Sequence, residues 1–320
     1  MLLILTNSAD YHTDIILKTI NENNLGVYFR LNTDLFHTDY EIEIYPTEKK
    51  FILINKKNGK IAHSESITCA WWRRPEKINV KQGDIPEKLQ DYLIDEYRIV
   101  LRTLVHLLNQ SDVKIVTYPP QLNKAKDKSL QQIWAQEVGF QTPKQIITSS
   151  NSAFKKHFIN NDSIISKSID SIATISDSEN DYVLYANLLT CAQRTLIENN
   201  LININVSYFQ EKITRKHELR VIAFDTKSFI FKIESNDYLV DWRRIDPDSI
   251  SFELIEDNFI HTRCIDYLQK SNLKFGAFDF IVDAKNEVYF IECNPNGQFL
   301  FCDINLKTNM IKEFAEYLTI

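Results

Sequence analysis

Two carboxylates and an amide fall inside an otherwise apolar hairpin pattern near the end of the sequence. The first arm reads Phe275-Gly-Ala-Phe-Asp279-Phe-Ile-Val-Asp283 and the second Val288-Tyr-Phe-Ile-Glu292-Cys-Asn294-Pro-Asn296-Gly297. An even-length turn centred on Lys285-Asn286 pairs Asp279 with Glu292. Strand alternation then puts Asn294 on the same face, while Phe278, Phe280, Tyr289 and Ile291 fill the other. Three oxygen donors on two rigid strands suit Mg²⁺, which takes a few protein oxygens and completes its octahedron with phosphate and water. The alternative is a hairpin whose carboxylates simply point to solvent.

A second segment, Tyr208-Phe-Gln210-Glu211-Lys212-Ile213 followed by Thr-Arg-Lys-His-Glu218-Leu-Arg220-Val221, ends one strand and begins another. Glu218 and Arg220 share a face of the second strand. Glu218 suits two sugar hydroxyls and the Arg220 fork suits a phosphate or carboxylate; the alternative is a surface ion pair. Lys167 closes the apolar run Ile164-Ile165-Ser166, where it either reaches a phosphate or snorkels to water.

The elements that must position these groups follow from periodicity. Strand, helix and strand alternate over Leu2 to Thr6, Asp10 to Asn23 and Val27 to Leu31, the signature of a parallel α/β unit. A hairpin is expected over 40–55, a strand at 67–71, and a long helix after Pro86 from leucines at near-helical spacing. Tyr118-Pro119-Pro120 reads as a stiff break and the first domain boundary. A helix over 127–138 with Gly139 as its stop, strands at 144–148 and 163–167, and a Ser/Asp-rich mobile loop over 168–181 make a smaller α/β module. Strands dominate after Val206, interrupted by one helix near 257–270. The expected domains are therefore 1–118, 119–205 and 206–320.

Composition excludes several classes. The 320 residues are 44% apolar and 25% charged, and carry no apolar run of about 20 residues, so no membrane helix is expected. The start, Met1 to Asn7, has no signal-peptide pattern and reads as a strand, so a cytoplasmic protein is expected. A net charge of −6 without a basic run gives no bulk attraction to nucleic acid. Five scattered cysteines suit free buried thiols rather than zinc. Six glycines leave no G-x-G-x-x-G or Walker A loop, so a nucleotide must be held some other way.

In this order, the lysine-ended strand, the Phe209-Gln210-Glu211 hinge, Glu218-Leu-Arg220, Asp241-Trp242-Arg243 and Asp279 with Glu292-Cys-Asn294-Pro-Asn296-Gly297 resemble the ATP-grasp superfamily. More narrowly the chain resembles the graspetide (microviridin-type) peptide ligases, including the grasp-with-SPASM branch. Trp71-Trp72-Arg73-Arg74-Pro75 and the Asn123 to Pro143 stretch fit that group too. The resemblance implies an α/β ATP-grasp fold: an N-terminal pre-ATP-grasp domain, a central small domain and a C-terminal antiparallel-sheet domain. It assigns Lys128 and Lys167 to ATP phosphates, Gln210, Glu211, Lys212 and Ile213 to adenine, Glu218 to ribose, and Asp279, Glu292 and Asn294 to Mg²⁺. Arg220 and Arg243 would stabilise the transferring phosphoryl group. Unlike many ATP-grasp enzymes, the chain has no glycine-rich loop over 168–181.

The implied activity is ATP-dependent: phosphorylation of Asp or Glu side chains of a precursor peptide, then attack by Ser, Thr or Lys to close an ester or amide ring. For that leader-plus-core peptide the resemblance offers Glu179 and Asp181, with the helix over 188–198, and Trp72, Arg73, Arg74 and Asn296. A Trp pair in the core and a surface Arg pair are the alternatives. Asp241 and His217 are weak options for a base. A ligase adding amino acids to a small molecule or protein, and a non-catalytic peptide binder, stay open. The oligomeric state stays open too, a homodimer among the options.

Overall fold

The computed structural model describes residues 1–76, 78, 86–161, 163–169, 173–176, 181–184, 186–235, 250–303 and 306–320, with backbone alone at 87, 173–176, 181–184 and 235. The chain divides into two compact units: one formed by Met1–Leu122, Asn272–Phe275 and Asn296–Ile320, the other by Asn123–Ser271 and Gly276–Pro295. Residues after Asn296, grouped by sequence with the last domain, thus belong to the N-terminal unit.

In chain order the first unit begins with β1 (Leu2–Thr6), α1 (Tyr11–Glu22), β2 (Tyr28–Asn32), α2 (Phe36–Asp39), β3 (Tyr40–Tyr45), β4 (Lys50–Asn55), β5 (Ile61–His63), β6 (Cys69–Trp72), α3 (Glu87–Gln110) and β7 (Lys114–Val116). A parallel sheet runs β2-β1-β6-β7, as the alternation requires, and β3-β4-β5 form a separate antiparallel sheet. Leu3, Leu5, Phe29, Leu31, Leu104 and Leu108 fill the core between sheet and α3. The expected break at Pro119-Pro120 is also the start of α4 (Pro119–Ala125), within which the division between the two units falls, after Leu122. Proline fits there because the first helical N–H groups have no intrahelical acceptor to lose.

The second unit holds α5 (Lys128–Glu137), β8 (Gln145–Thr148), α6 (Asn151–His157), β9 (Ile164–Lys167), β10 (Ala173–Ser176), β11 (Asp181–Leu184), β12 (Asn187–Leu188), α7 (Cys191–Glu198), β13 (Ser207–Glu211), β14 (Arg215–Phe224), β15 (Lys227–Ser235), β16 (Ile250–Ile255), α8 (Asn258–Ser271), β17 (Phe275–Asp283) and β18 (Val288–Asn294). Its sheets run β12-β9-β13-β8 and β16-β15-β14-β17-β18. The expected loop over 168–181 contains a strand, β10, which pairs antiparallel with β11. The last elements, α9 (Leu300–Asp303) and α10 (Met310–Thr319), return to the first unit. Sequence reading missed α10, although its buried Met310, Phe314, Ala315 and Leu318 follow helical spacing.

One cluster in the first unit sets an acid limit on stability. Asp10 caps α1; burial raises its carboxyl, but the hydroxyls of Thr13 and Thr6, at 2.6 and 2.7 Å, and the Arg73 cation outweigh this and leave it below the ordinary range. His12 Nε2 accepts the Phe299 N–H at 3.3 Å, so that nitrogen carries no proton. Burial and Arg73 lower the imidazole from an ordinary 6.5 to about 4. Between those values the unfolded chain binds more protons. Stability is therefore full above the unfolded value and is lost as pH falls toward about 4, by up to about 3 kcal/mol. His12→Gln is expected to flatten the fall of Tm between pH 6.5 and 4; an unchanged slope would remove His12 from the acid transition.

Candidate functional site

The candidate residues gather on three neighbouring strands of the second unit, β14, β17 and β18. Glu218 and Arg220 lie two apart on β14, Asp279 lies on β17, and Glu292 and Asn294 lie on β18. Arg220, 5% exposed, donates from Nη1 to Asp279 Oδ1 at 2.7 Å. Asn294 Nδ2 donates to Glu292 Oε1 at 3.0 Å and, more weakly, to Asp279 Oδ2 at 3.4 Å. The opposite face is dry: Phe278, Phe280, Phe290 and Cys293 are at most 1% exposed, and Tyr267 of α8 packs edge-on against Phe278 and tilted against Phe290.

Asp279 does pair with Glu292, but by a different route from the even turn expected above. Next to the turn Val282 pairs with Val288, Ile281 with Tyr289 and Phe280 with Phe290, an odd-length connection; one extra residue in β18, Ile291, then shifts the register so that Asp279 meets Glu292 and Ala277 meets Asn294. This β-bulge also exchanges the expected faces. Phe290 and Cys293 enter the core, whereas Tyr289 and Ile291 stay half-buried.

Two carboxylates and an amide within hydrogen-bonding reach form a hard-oxygen donor set that fits Mg²⁺, a half-turn of the Asn294 amide presenting Oδ1 in place of Nδ2. Among the described residues no group of three His, Cys, Asp or Glu side chains is placed to hold a metal. Two carboxylates and an amide fill half of an octahedron, and phosphate and water are the usual further ligands of Mg²⁺.

Both candidate phosphate lysines come to one place. Lys167 ends β9 opposite Tyr208 of β13, and Lys128, at the start of α5, donates to the carbonyl of the next residue, Ser168, at 2.8 Å. In the hinge, the Glu211 and Lys212 amides are committed to Lys144 O and Ser163 O, at 2.8 and 2.9 Å. The Glu211 carboxylate accepts from Lys144 N and Asn161 Nδ2, at 2.7 and 2.9 Å, so its side chain braces the module. Gln210, 2% exposed, has a buried Nε2 with no hydrogen-bond partner among the described residues, a donor of the kind a purine ring nitrogen satisfies. Ile213 follows, half-buried. Glu218 Oε1 meets Arg215 Nη1 at 2.5 Å. Lys167→Ala is expected to weaken ATP binding by about 1.5–3 kcal/mol, the worth of a charged contact. Calorimetry showing unchanged affinity would move the contact to Lys128.

Other expectations change. Arg73 is 1% exposed rather than at the surface: Nη1 donates to Asn296 O, Asn296 Oδ1 and Gly297 O at 2.8, 3.0 and 3.1 Å, while its buried Nε and Nη2 have no hydrogen-bond partner among the described residues. Burial lowers its guanidinium to about 9. Asn296 Nδ2 returns a bond to Arg73 O, so the two residues form an internal clasp of the first unit. Trp72 is half-buried against the core and Arg74 is exposed. His217 alternates with Glu218 and Arg220 and so lies on the opposite strand face, with its imidazole lowered by burial. Glu179, Asp241, Trp242 and Arg243 lie outside the described residues, and Asp181 is described by its backbone alone.

Residues 1–119 match the family model described as the MvdD pre-ATP grasp domain. No curated protein sequence matches the chain. Among solved structures, macrocyclase MdnC bound with precursor peptide MdnA, from Microcystis aeruginosa MRC, is 21% identical with TM-score 0.79, covering 99% of both chains. A Chryseobacterium gregarium RiPP-associated ATP-grasp ligase in complex with ADP and a leader and core peptide is 22% identical with TM-score 0.83, covering 99% of this chain and 95% of that one. The ATP-grasp ligase PsnB, complexed with minimal precursor, Mg and ADP, is 13% identical with TM-score 0.75, covering 99% and 96%. The chain thus has an ATP-grasp fold, with a pre-ATP-grasp domain at its start. Among the described residues no helix is long and apolar enough to cross a membrane.

Proposed function

We propose that this chain is a graspetide maturase: an ATP-dependent ligase that activates Asp or Glu side chains of a ribosomal precursor peptide and closes ester or amide links with Ser, Thr or Lys. The observation that carries this reading is the row Arg220, Asp279, Glu292 and Asn294 on adjacent strands, beside two converging lysines, in a fold similar over 99% of its length to structures of peptide ligases.

Lys128 and Lys167 would bind the ATP phosphates, Gln210 to Ile213 would seat adenine, and Glu218 would hold ribose. Asp279, Glu292 and Asn294 would hold Mg²⁺, which supplies charge neutralisation on the phosphates when bound. The γ-phosphoryl group passes from ATP to a peptide carboxylate, giving ADP and an acyl phosphate. Attack by a hydroxyl or amine then expels phosphate, so the peptide loses one water per link. Arg220 is set to stabilise the negative charge of the transferring group. The surface around α7 suits an amphipathic leader, since Leu188 and Leu196 stand 43% and 37% exposed there.

The test is mass spectrometry of a short, acidic, Thr- or Lys-rich candidate precursor incubated with the enzyme and Mg·ATP. The expected result is the loss of one water per link, stopped when the acceptor Asp or Glu is replaced by Asn or Gln. A gain of one amino acid residue, indifferent to the leader, would instead support a ligase acting on other substrates. No ATP turnover with any peptide would overturn the enzymatic reading.

A further inference from the structure

The bulge in β18 decides which way Glu292 faces. If the register next to the turn continued, Asp279 would meet Ile291 and Glu292 would meet Phe278. Glu292 would then point into the face occupied by Phe278, Phe280 and Phe290, where an unpaired carboxylate is costly. The extra residue avoids this, yet a bulge leaves backbone groups outside the ladder, and buried ones need partners.

Two consecutive glutamines of α5 provide them. Gln132 Nε2 donates to the carbonyl of Ile291, the bulged residue itself, at 2.8 Å. Gln131 treats Cys293 as a neighbouring strand would: Oε1 accepts the Cys293 N–H at 3.0 Å and Nε2 donates to the Cys293 carbonyl at 2.9 Å. The second hydrogen of Nε2 goes to Ala125 O at 2.7 Å, which ties the preceding helix into the same frame. Both side chains are buried, at 4% and 5% exposure. The backbone is therefore gripped on each side of Glu292 and immediately before Asn294, by the helix whose first residue is Lys128.

We propose that Gln131 and Gln132 are positioning residues that hold the bulged register of β18 and thereby aim Glu292 and Asn294 at a divalent cation. This rests on the assignment of Asp279, Glu292 and Asn294 to Mg²⁺. Neither glutamine touches the cation; each acts through the strand, as outer partners of metal ligands do.

The test is the affinity of ADP with Mg²⁺ and with EDTA, measured by calorimetry on wild type, Gln131→Leu and Gln132→Leu, with Tm recorded alongside. Each variant is expected to lose about tenfold of the Mg²⁺-dependent gain in ADP affinity while its affinity in EDTA stays that of wild type. Gln131→Met and Gln132→Met, which keep the side-chain length, provide further variants if a leucine prevents folding; each is expected to lose the same gain. A purely structural role would lower Tm while leaving the Mg²⁺-dependent gain intact, or weaken ADP equally in both conditions. A folded variant with the full Mg²⁺-dependent gain, beside a wild type that shows it, would overturn the positioning role alone. A wild type with no such gain would overturn the metal assignment, and the positioning role with it.

Discussion

Replacing Glu292 with Gln is expected to lower ATP-dependent turnover by roughly 10²–10³-fold, because one charge is removed where phosphoryl transfer needs electrostatic stabilisation. Asp279→Asn should lose at least as much activity. The two differ in stability. Glu292 is half-buried and close to Asn294, so its amide keeps the fold with little cost. Asp279→Asn leaves the Arg220 guanidinium, 5% exposed, facing a neutral partner and should cost a further ~1–3 kcal/mol. Both variants should still unfold cooperatively. Steady-state turnover across a Mg²⁺ titration checks this. Near-normal rates for both at saturating Mg²⁺ would remove these carboxylates from the site.

Arg220→Ala should produce the second large effect, a fall in kcat of about 10²–10³-fold if the guanidinium stabilises the transferring phosphoryl group. Because Arg220 now shares the Asp279 carboxylate, its loss should not raise the Mg²⁺ concentration needed for half-saturation. A residue that merely held Asp279 in place would show the reverse: a raised Mg²⁺ requirement with kcat retained. Arg220→Lys keeps a charge but not the planar fork, so it should recover stability better than turnover.

Much of the site was legible because its signals are local. Polar residues at alternate positions within apolar strands, such as Glu218 and Arg220 or Glu292 and Asn294, announce a face by themselves. The same holds for the parallel α/β start, where each strand and helix carries its own periodicity. The burial of Arg73 was not legible because charge in a sequence suggests a surface. Its burial depends on Asn296 and Gly297, more than 220 residues away, whose carbonyls take the guanidinium inside. Pro119-Pro120 was read as a break, near the division of the units after Leu122, but not as a helix start, because a proline pair breaks a helix interior and opens a helix start with equal ease.

The sequence by itself determined the secondary elements with strong periodicity and singled out the candidate carboxylates, amide and lysines, and it anticipated the pairing of Asp279 with Glu292. The mechanism of that pairing was a tertiary matter. The turn alone sets a register that would drive Glu292 into a phenylalanine face, and the extra residue at Ile291 reverses it. Hairpin periodicity is blind to such a bulge, because the groups that stabilise it, Gln131 and Gln132, lie about 160 residues upstream on a helix and meet β18 only after folding. Local propensity acts over a few residues, whereas buried backbone groups must find partners wherever the chain brings them, and that requirement decided which face the carboxylate took.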